Sequence, residues 1–518
     1  MLPHSENTKR IARNTLMLYG RMLFSMVVSL YTSRVVLNTL GVVDYGVYNV
    51  VGGFVTMFSL VSTALSSSAS RFLTYELGRG DMVRLKKAFS TSLLIQLVLS
   101  ILVLILAETV GLWFLNNKMT IPIDRLNAAQ WVFQASVLSF IVGLLSVPYN
   151  ASIVSHERMS AFAYIGILQV LLKLGIVLFI AYSGLQFDKL IVYSLLLVLV
   201  GILMQSIYWT YCKRNFEECR LEIAFDKQCW KEMSSFAGWN FIGCAAGLFK
   251  DQGVNILLNL FFGPVLNTAR GISMTVSNTV GGFANNFMVA LNPQITKSYA
   301  SNDLEYCHSL VERGSRFSFF ILFTIAVPIF LETDYILTLW LKQYPEATVN
   351  FVRLVLLLSL TEMLSNTLIT LQLATGEIKA YQLVVGGVLL LNLPISYICL
   401  HIGFAPESTL IVAIFLSLVC MVIRLTFLRK TAKLPMHSYF KNVCAKVLLV
   451  AAVASILPTI IHIIMPEGWG RLLVVLILSL MSSILSIYYL GCSQSERQFI
   501  VTKLSVHIYK LLNGKYSR

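Results

Sequence analysis

The sequence predicts an all-α integral membrane protein of about fourteen transmembrane helices, built as two parallel-repeat six-helix bundles with two extra C-terminal helices. Three observations carry this. The chain is 57% hydrophobic and only 13% charged, where a soluble domain carries roughly a quarter charged residues. Apolar runs of about 20 residues, enough to cross a hydrocarbon core of roughly 30 Å as helices, recur from Ile11 to Leu490. Features of the first half also return in the second.

Taken in order, the first ten residues are polar. The first apolar run is too long for a signal peptide, lacks a small-residue cleavage site, and carries Arg21 and Arg34, so it reads as a retained helix. Six spans are expected over 12–39, 45–70, 87–114, 128–153, 159–183 and 189–211. Six more are expected over 233–262, 264–291, 317–332, 347–372, 379–402 and 407–428, followed by 442–465 and 469–490. The domain organisation follows: an N-terminal bundle over 1–212, a charge-rich cytoplasmic linker over 213–232, a C-terminal bundle over 233–430, two additional helices over 431–491 and a cytoplasmic tail over 492–518. In the tail Ile500, Leu504, Ile508, Leu511 and Leu512 share a helical face with Lys503 and Lys510 off it, the pattern of a helix lying on a membrane surface.

The net charge of +15 suits nucleic acid in a soluble protein, but here its placement decides. Among 40 Lys and Arg, only Lys118, Arg125, Lys189, Lys342 and Arg471 fall in outer connections. Six more lie within helices, and all the others face inward. This asymmetry is the positive-inside pattern for a membrane protein with both termini in the cytoplasm, and no nucleic-acid partner is expected. The nine Cys form no CxxC pair, which argues against disulfides and zinc.

When Gly41 is slid onto Gly263 and Asp81 onto Asp303, the second helix falls on the eighth. A small-polar stripe of Asn49, Gly52, Thr56, Ser59, Thr63 and Ser70 then meets Gly271, Met274, Asn278, Gly281, Asn285 and Asn292. Such a stripe lets helices pack closely. Its return at matched positions is also what a cavity wall built twice requires. An even number of helices separates the copies, so both enter the membrane in the same direction, an arrangement known among transporters that rock about a central site.

Six cations fall inside the membrane: Arg21, Arg34, Lys173, Lys250, Arg270 and Arg353. Each costs roughly 3 kcal/mol at a helix centre unless paired or hydrated. Arg34, Arg270 and Arg353 are placed to snorkel toward headgroups, whereas Arg21, Lys173 and Lys250 are deeper. Acidic company is thin, chiefly Asp251 and Glu362. The seventh helix adds Gly243, Gly247, Asp251, Asn255 and Asn259 at four-residue steps, a polar line in an otherwise greasy segment. Two readings stand for these charges: ion pairs that hold the bundle together, or a wet cationic cavity that attracts an anion such as phosphate.

No GxxxxGK[ST] loop, HExxH or GxSxG is present, and the seven His are scattered. His156-Glu157-Arg158 reads as a solvated inner turn. The sequence therefore gives no support for an enzyme, and it calls for no cofactor.

Asn14-Thr15 with Tyr19 and Arg21, Ser33-Arg34, Leu40-Gly41 and Asp44-Tyr45-Gly46-Val47-Tyr48 resemble the opening of bacterial polysaccharide flippases, the O-antigen and capsule branch of the superfamily that includes multidrug-and-toxin extruders (MATE-like). Pro148-Tyr149-Asn150 with His156-Glu157-Arg158-Met159, Gly263-Pro264 and Asn292-Pro293-Gln294 resemble later marks of that family. The resemblance implies a carrier that moves an undecaprenyl-pyrophosphate-linked oligosaccharide from the cytoplasmic to the periplasmic leaflet by alternating access. It also implies membrane lipids, H+ or Na+, a polysaccharide polymerase and a chain-length regulator as partners. Arg21, Arg34, Lys173, Lys250, Arg270, Asn255 and Asn259 become candidate substrate-binding residues, with Asp251 and Glu362 as candidates for a coupling ion. A cation-coupled multidrug or metabolite exporter of the same fold is the alternative, and a membrane glycan polymerase or ligase the next.

Overall fold

Hydrocarbon offers no partner for a backbone N–H or C=O, so each crossing must close its own hydrogen bonds. In agreement, the computed structural model is helical throughout its regular elements, with no strand among the described residues. It describes residues 4–498 apart from 57–58, 118–120, 122, 185–186, 221–225, 263 and 342–343. The expected surface helix of the tail lies outside the described residues, as does Gly263.

In chain order the helices are α1 (His4–Thr56), α2 (Ser59–Arg79), α3 (Met82–Leu106), α4 (Leu112–Asn117), α5 (Leu126–Ser155), α6 (Met159–Tyr182), α7 (Lys189–Asn215), α8 (Lys227–Phe262) and α9 (Pro264–Ala300). They continue with α10 (Leu304–Leu331), α11 (Thr333–Leu341), α12 (Thr348–Thr375), α13 (Lys379–Leu390), α14 (Asn392–Ile402), α15 (Ser408–Thr431), α16 (Met436–Tyr439), α17 (Ala445–Ile464) and α18 (Trp469–Ser486). Single π turns at Ala107–Gly111, Phe440–Cys444 and Ile487–Gly491 extend crossings rather than end them. Ten crossings among the described residues are long and apolar enough to span a membrane. The two arms of α1 with α2, and the long α8 and α9, supply the others expected.

Two boundaries differ from the sequence reading, each for a local reason. The first two spans are joined by a kink inside α1, not a loop: Gly41 takes φ 81° and ψ 170°, a conformation open to a residue without Cβ. The ninth span starts at Leu304 and not near residue 317. Polar residues of its first turns conceal it in the sequence, but Asp303 fixes the start by accepting a hydrogen bond from the Tyr306 amide at 3.2 Å.

That cap also makes the internal repeat physical. Asp81 caps α3 by accepting from the Arg84 amide at 3.0 Å, and Asp81 and Asp303 are the residues the repeat superposes. The residues just before them, Gly80 and Asn302, have φ of 75° and 60°. Both copies thus end a helix in a left-handed residue and restart on an aspartate, as helix-terminus chemistry favours.

Contacts divide the chain into two compact units, Met1–Phe249 with Val289–Cys307 and Thr370–Leu390, and Lys250–Met288 with His308–Ile369 and Leu391–Arg518. In the first unit α5 packs on α7, α3 and α2, and α1 packs on α6. Its cores centre on Phe72, Leu85, Phe89, Tyr149 and Tyr208, and on Val51, Val132, Phe133 and Leu190. Arg125 ties three segments together there: Nε is 2.7 Å from Asp44 Oδ1 and Nη1 is 2.7 Å from Asp188 Oδ2, while Asp188 also caps α7.

In the second unit α17 and α18 pack on one another and are pinned at both ends. At one end buried Glu332 meets His462 Nδ1 at 2.8 Å and Arg471 Nη2 at 3.0 Å. At the other, Arg316 meets Glu496 at 2.8 Å, and Asn442 donates to Glu312 at 3.0 Å. Removing one partner of such a buried pair leaves the other charge uncompensated, at a cost of about 3 kcal/mol. Glu332→Gln is therefore expected to lower the thermal midpoint of the detergent-purified protein by several degrees, whereas Glu467→Gln, on an exposed carboxylate 3.9 Å from Arg471, leaves it nearly unchanged.

Candidate functional site

The first unit holds a cavity of about 670 Å³. Helical spacing brings its lining together. Ser136, Ser139, Ser146 and Asn150 lie on one face of α5, Gln169 and Lys173 one turn apart on α6, Tyr193, Ser194 and Tyr208 on α7, and Tyr48 on the second arm of α1. Some of this polarity is already committed: Ser194 donates to the Ile191 carbonyl at 2.8 Å, and Ser146 bonds the Val142 carbonyl and the Gln205 side chain. Two groups are not. Lys173 is exposed to the cavity, and no ion pair involves it among the described residues. The Asn150 Oδ1 atom is buried with no hydrogen-bond donor among the described residues.

Arg21 stands beside this cavity, not in its lining. Its guanidinium lies 4.6 Å from the centre of the Phe162 ring, a cation–π contact, and within electrostatic reach of Tyr208. Gly166 on α6 makes room for it, since a Cβ there would come 2.9 Å from Arg21 Cδ. Arg34 lies in α1, but its side chain is outside the described residues.

The second unit collects the remaining candidates into a cluster on α8, α9 and α12. Lys250 Nζ is 3.2 Å from Glu362 Oε1 and 3.6 Å from Asp251 Oδ1. Arg270 Nη2 is 3.4 Å from the Asp251 carbonyl and 3.9 Å from Asp251 Oδ1. Two cations thus face two carboxylates and the cluster is formally neutral. Lys250 and Arg270 are buried, while the Glu362 and Asp251 side chains remain 46% and 43% exposed. The carboxylates, not the cations, are the accessible groups. Asn255 accepts from Asn267 at 2.7 Å through its side chain and at 2.8 Å through its carbonyl, bracing α8 against α9. The Asn259 side chain lies outside the described residues, as do those of Asn49, Gly52, Thr56 and Ser59 in the first small-polar stripe. The second copy of that stripe shows Gly271, Asn278 and Asn285 exposed along α9, with Thr275 and Thr279 beside them.

One polar centre was hidden from sequence reading. Glu157 is not solvated: its side chain is 1% exposed, and it takes ion pairs from Arg10 at 2.6 Å and Lys297 at 2.7 Å. Gln294 also donates to it, and Asn14 donates to its carbonyl at 3.3 Å. A backbone φ of 58° turns the residue inward. His156 stacks on Phe216 with 4.1 Å between ring centres and contacts Glu218 at 2.7 Å. Asn14 and Gln294 stood out in the sequence only as marks of a family pattern, and nothing in local spacing joins them to Glu157.

An all-helical membrane protein with a polar cavity in its first half and a paired charge cluster in its second has the build of a transporter, and solved structures bear this out for the fold. The chain is similar to a MATE transporter in complex with MaD3S (12% identity over 82% of this chain and 97% of that one, TM-score 0.70). It is similarly close to an outward-facing multidrug resistance MATE family transporter of the MOP superfamily (12%, 82% and 96%, TM-score 0.67). A third likeness is to a MOP superfamily transporter from Pyrococcus furiosus described by the reverse polarity of its binding pocket (14%, 82% and 96%, TM-score 0.67). The fold is therefore that of MATE transporters, and the protein is a multi-pass membrane protein. The family described as polysaccharide biosynthesis protein matches residues 8–301, more than half of the chain, and the chain belongs to that family. No curated protein matches the sequence at a significant level.

The neutral cluster makes a clear expectation. Lys250→Met leaves Asp251 and Glu362 facing one another without their shared cation and lowers the thermal midpoint; adding Glu362→Gln restores part of the loss. A double-mutant cycle measured by thermal unfolding in detergent should give a coupling of about 1 kcal/mol or more, since residues in one ion-pair network are non-additive.

Proposed function

We propose that this protein is a flippase that moves an undecaprenyl-pyrophosphate-linked oligosaccharide, a repeat unit of O-antigen, capsule or exopolysaccharide, from the cytoplasmic to the periplasmic leaflet. The observation that carries the reading is the cavity holding Lys173 without a carboxylate partner, in a MATE-type fold and a polysaccharide biosynthesis family. An ionisable residue kept inside a membrane helix marks a substrate pathway. A cation marks an anionic group on the substrate, and a lipid-linked glycan carries such groups at its phosphates and at any acidic sugar.

In this reading the glycan head enters polar space while the polyprenyl tail stays in lipid, and alternating access exchanges the open side. Lys173 and Arg21 serve the head group, with Arg34 further along α1. Lys250 and Arg270 act less as substrate ligands than as counter-charges to Asp251 and Glu362. Those two carboxylates are exposed enough to exchange a proton or a sodium ion, and Asn255 and Asn259 line the same helix. The inward bias of Lys and Arg supports a bacterial inner-membrane location with both termini in the cytoplasm. A polymerase and a chain-length regulator would then receive the flipped unit.

The exposed carboxylate pair also favours a second reading, a cation-coupled exporter of drugs or metabolites. Transport of a cationic dye into vesicles containing the purified protein, with lipid-linked glycan undisturbed, would select it.

The flippase reading is tested by Arg21→Gln with Lys173→Gln in the native host. Lipid-linked repeat units should accumulate at the cytoplasmic leaflet and surface glycan should fall at least about tenfold, as loss of charge-assisted contacts implies. Surface glycan at the wild-type level, with the variant present in the membrane in normal amount, would sink the assignment.

A further inference from the structure

We propose that the cavity in the first unit seats an acidic sugar: a monosaccharide whose carboxylate lies on Lys173 and whose hydroxyls meet Gln169, Asn150 and Ser139. The proposal rests on the flippase reading and specifies the glycan that such a protein carries.

The charge count comes first. Among the described residues Lys173 is the only charged residue in the cavity lining, and no carboxylate pairs with it. An ammonium held at membrane depth without a counter-charge is costly, and a single anionic group entering the cavity relieves that cost. A pyrophosphate carries more than one charge and is best met by several cations or by the fork of an arginine. The lining supplies one point charge on a flexible stem, and the nearby Arg21 guanidinium is stacked on Phe162. One carboxylate matches one ammonium.

The uncharged lining identifies the body attached to that carboxylate. Asn150 belongs to the lining, and its Oδ1 is a buried acceptor with no donor among the described residues; turning the amide toward the cavity would let an incoming N–H or O–H satisfy it. A sugar hydroxyl is such a donor, whereas a fully ionised phosphate or a fatty-acid carboxylate has none. Gln169 sits one helical turn from Lys173 on α6 and brings both amide donors and an acceptor to the same wall. Ser139 on α5 and the Tyr208 ring on α7 add a hydroxyl and an amphipathic face. The volume of about 670 Å³ is in the range of small-molecule sites, so neighbouring sugars of the same repeat unit fit alongside. The charge cluster of the second unit fits a free acid less well, because Lys250 and Arg270 already face Asp251 and Glu362, although Arg270 Nη1 has no acceptor among the described residues.

The test uses the full chain in lipid nanodiscs and three probes: a disaccharide ending in a uronic acid, the same disaccharide with the neutral hexose, and inorganic pyrophosphate. Calorimetric titration should show the acidic disaccharide binding at least about tenfold more tightly than the neutral one, the scale of a charge-assisted hydrogen bond. Lys173→Gln should abolish that preference while weak neutral binding persists, and Lys173→Arg should retain most of it. Persistent neutral binding in Lys173→Gln shows that the variant is folded. The proposal is overturned by equal binding of acidic and neutral sugars, by no acidic binding at millimolar probe, by a preference that survives Lys173→Gln, or by pyrophosphate binding more tightly than the acid in a Lys173-dependent way. Leaflet distribution of lipid-linked glycan in a deletion strain separates the two claims. If glycan is stranded inside and the acid preference is absent, flipping stands and the acidic sugar falls. If acid binds but deletion leaves the leaflets unchanged, the flippase reading falls.

Discussion

Inside a bilayer a helix satisfies its own backbone, but a charged side chain has nothing in hydrocarbon to turn to. The rest of this structure follows from where its charges go. Most of the cations fall outside the spans expected from the sequence. The few carried into the helices must find a carboxylate, an aromatic face, a carbonyl or water, and the chain uses each solution somewhere. Lys250 and Arg270 take carboxylates, Arg21 takes the Phe162 ring, and Arg353 takes the Phe330 carbonyl at 3.1 Å. Lys173 takes none of these among the described residues and faces a cavity.

The same constraint explains how the added helices are held. Apolar packing alone gives little specificity in lipid, because lipid tails are as greasy as leucine. Pinning α17 and α18 therefore falls to polar clusters at their ends, around Glu332 and around Glu496. Arg125 does this for the first unit, where it joins the kinked α1 to the start of α7 through Asp44 and Asp188. Glu157 does it with Arg10 and Lys297. Each is a carboxylate or guanidinium with several partners, so each fixes more than one segment at a time.

In function, the two halves have diverged in polarity despite a common plan. The restart of the third helix on a capped aspartate is the same in both copies. The chemistry placed around it differs: one half keeps a lone ammonium before an open polar cavity, and the other closes its cations onto carboxylates that themselves remain exposed. In the proposed function, an anionic substrate and a coupling cation would each need one of these sites, and a duplicated fold offers two places to build them.

The sequence by itself determined the class of protein, the crossings and their order, because hydrophobic length is a local property that the bilayer reads directly. It also singled out Lys250 and Arg270, which are buried, but placed the equally buried Arg316 and Arg424 in inner connections. It did not determine which of them were matched. Lys250 and Glu362 are far apart in the chain and meet only through the packing of α8 against α12, and Glu157 looks like an ordinary turn residue until Arg10 and Lys297 close on it. Pairing depends on which helix faces meet, and helix faces in a membrane are set by tertiary contacts that leave only a faint trace in composition. Only the folded structure could therefore decide that Lys250 and Arg270 are counter-charges and that Lys173 stands open to a cavity.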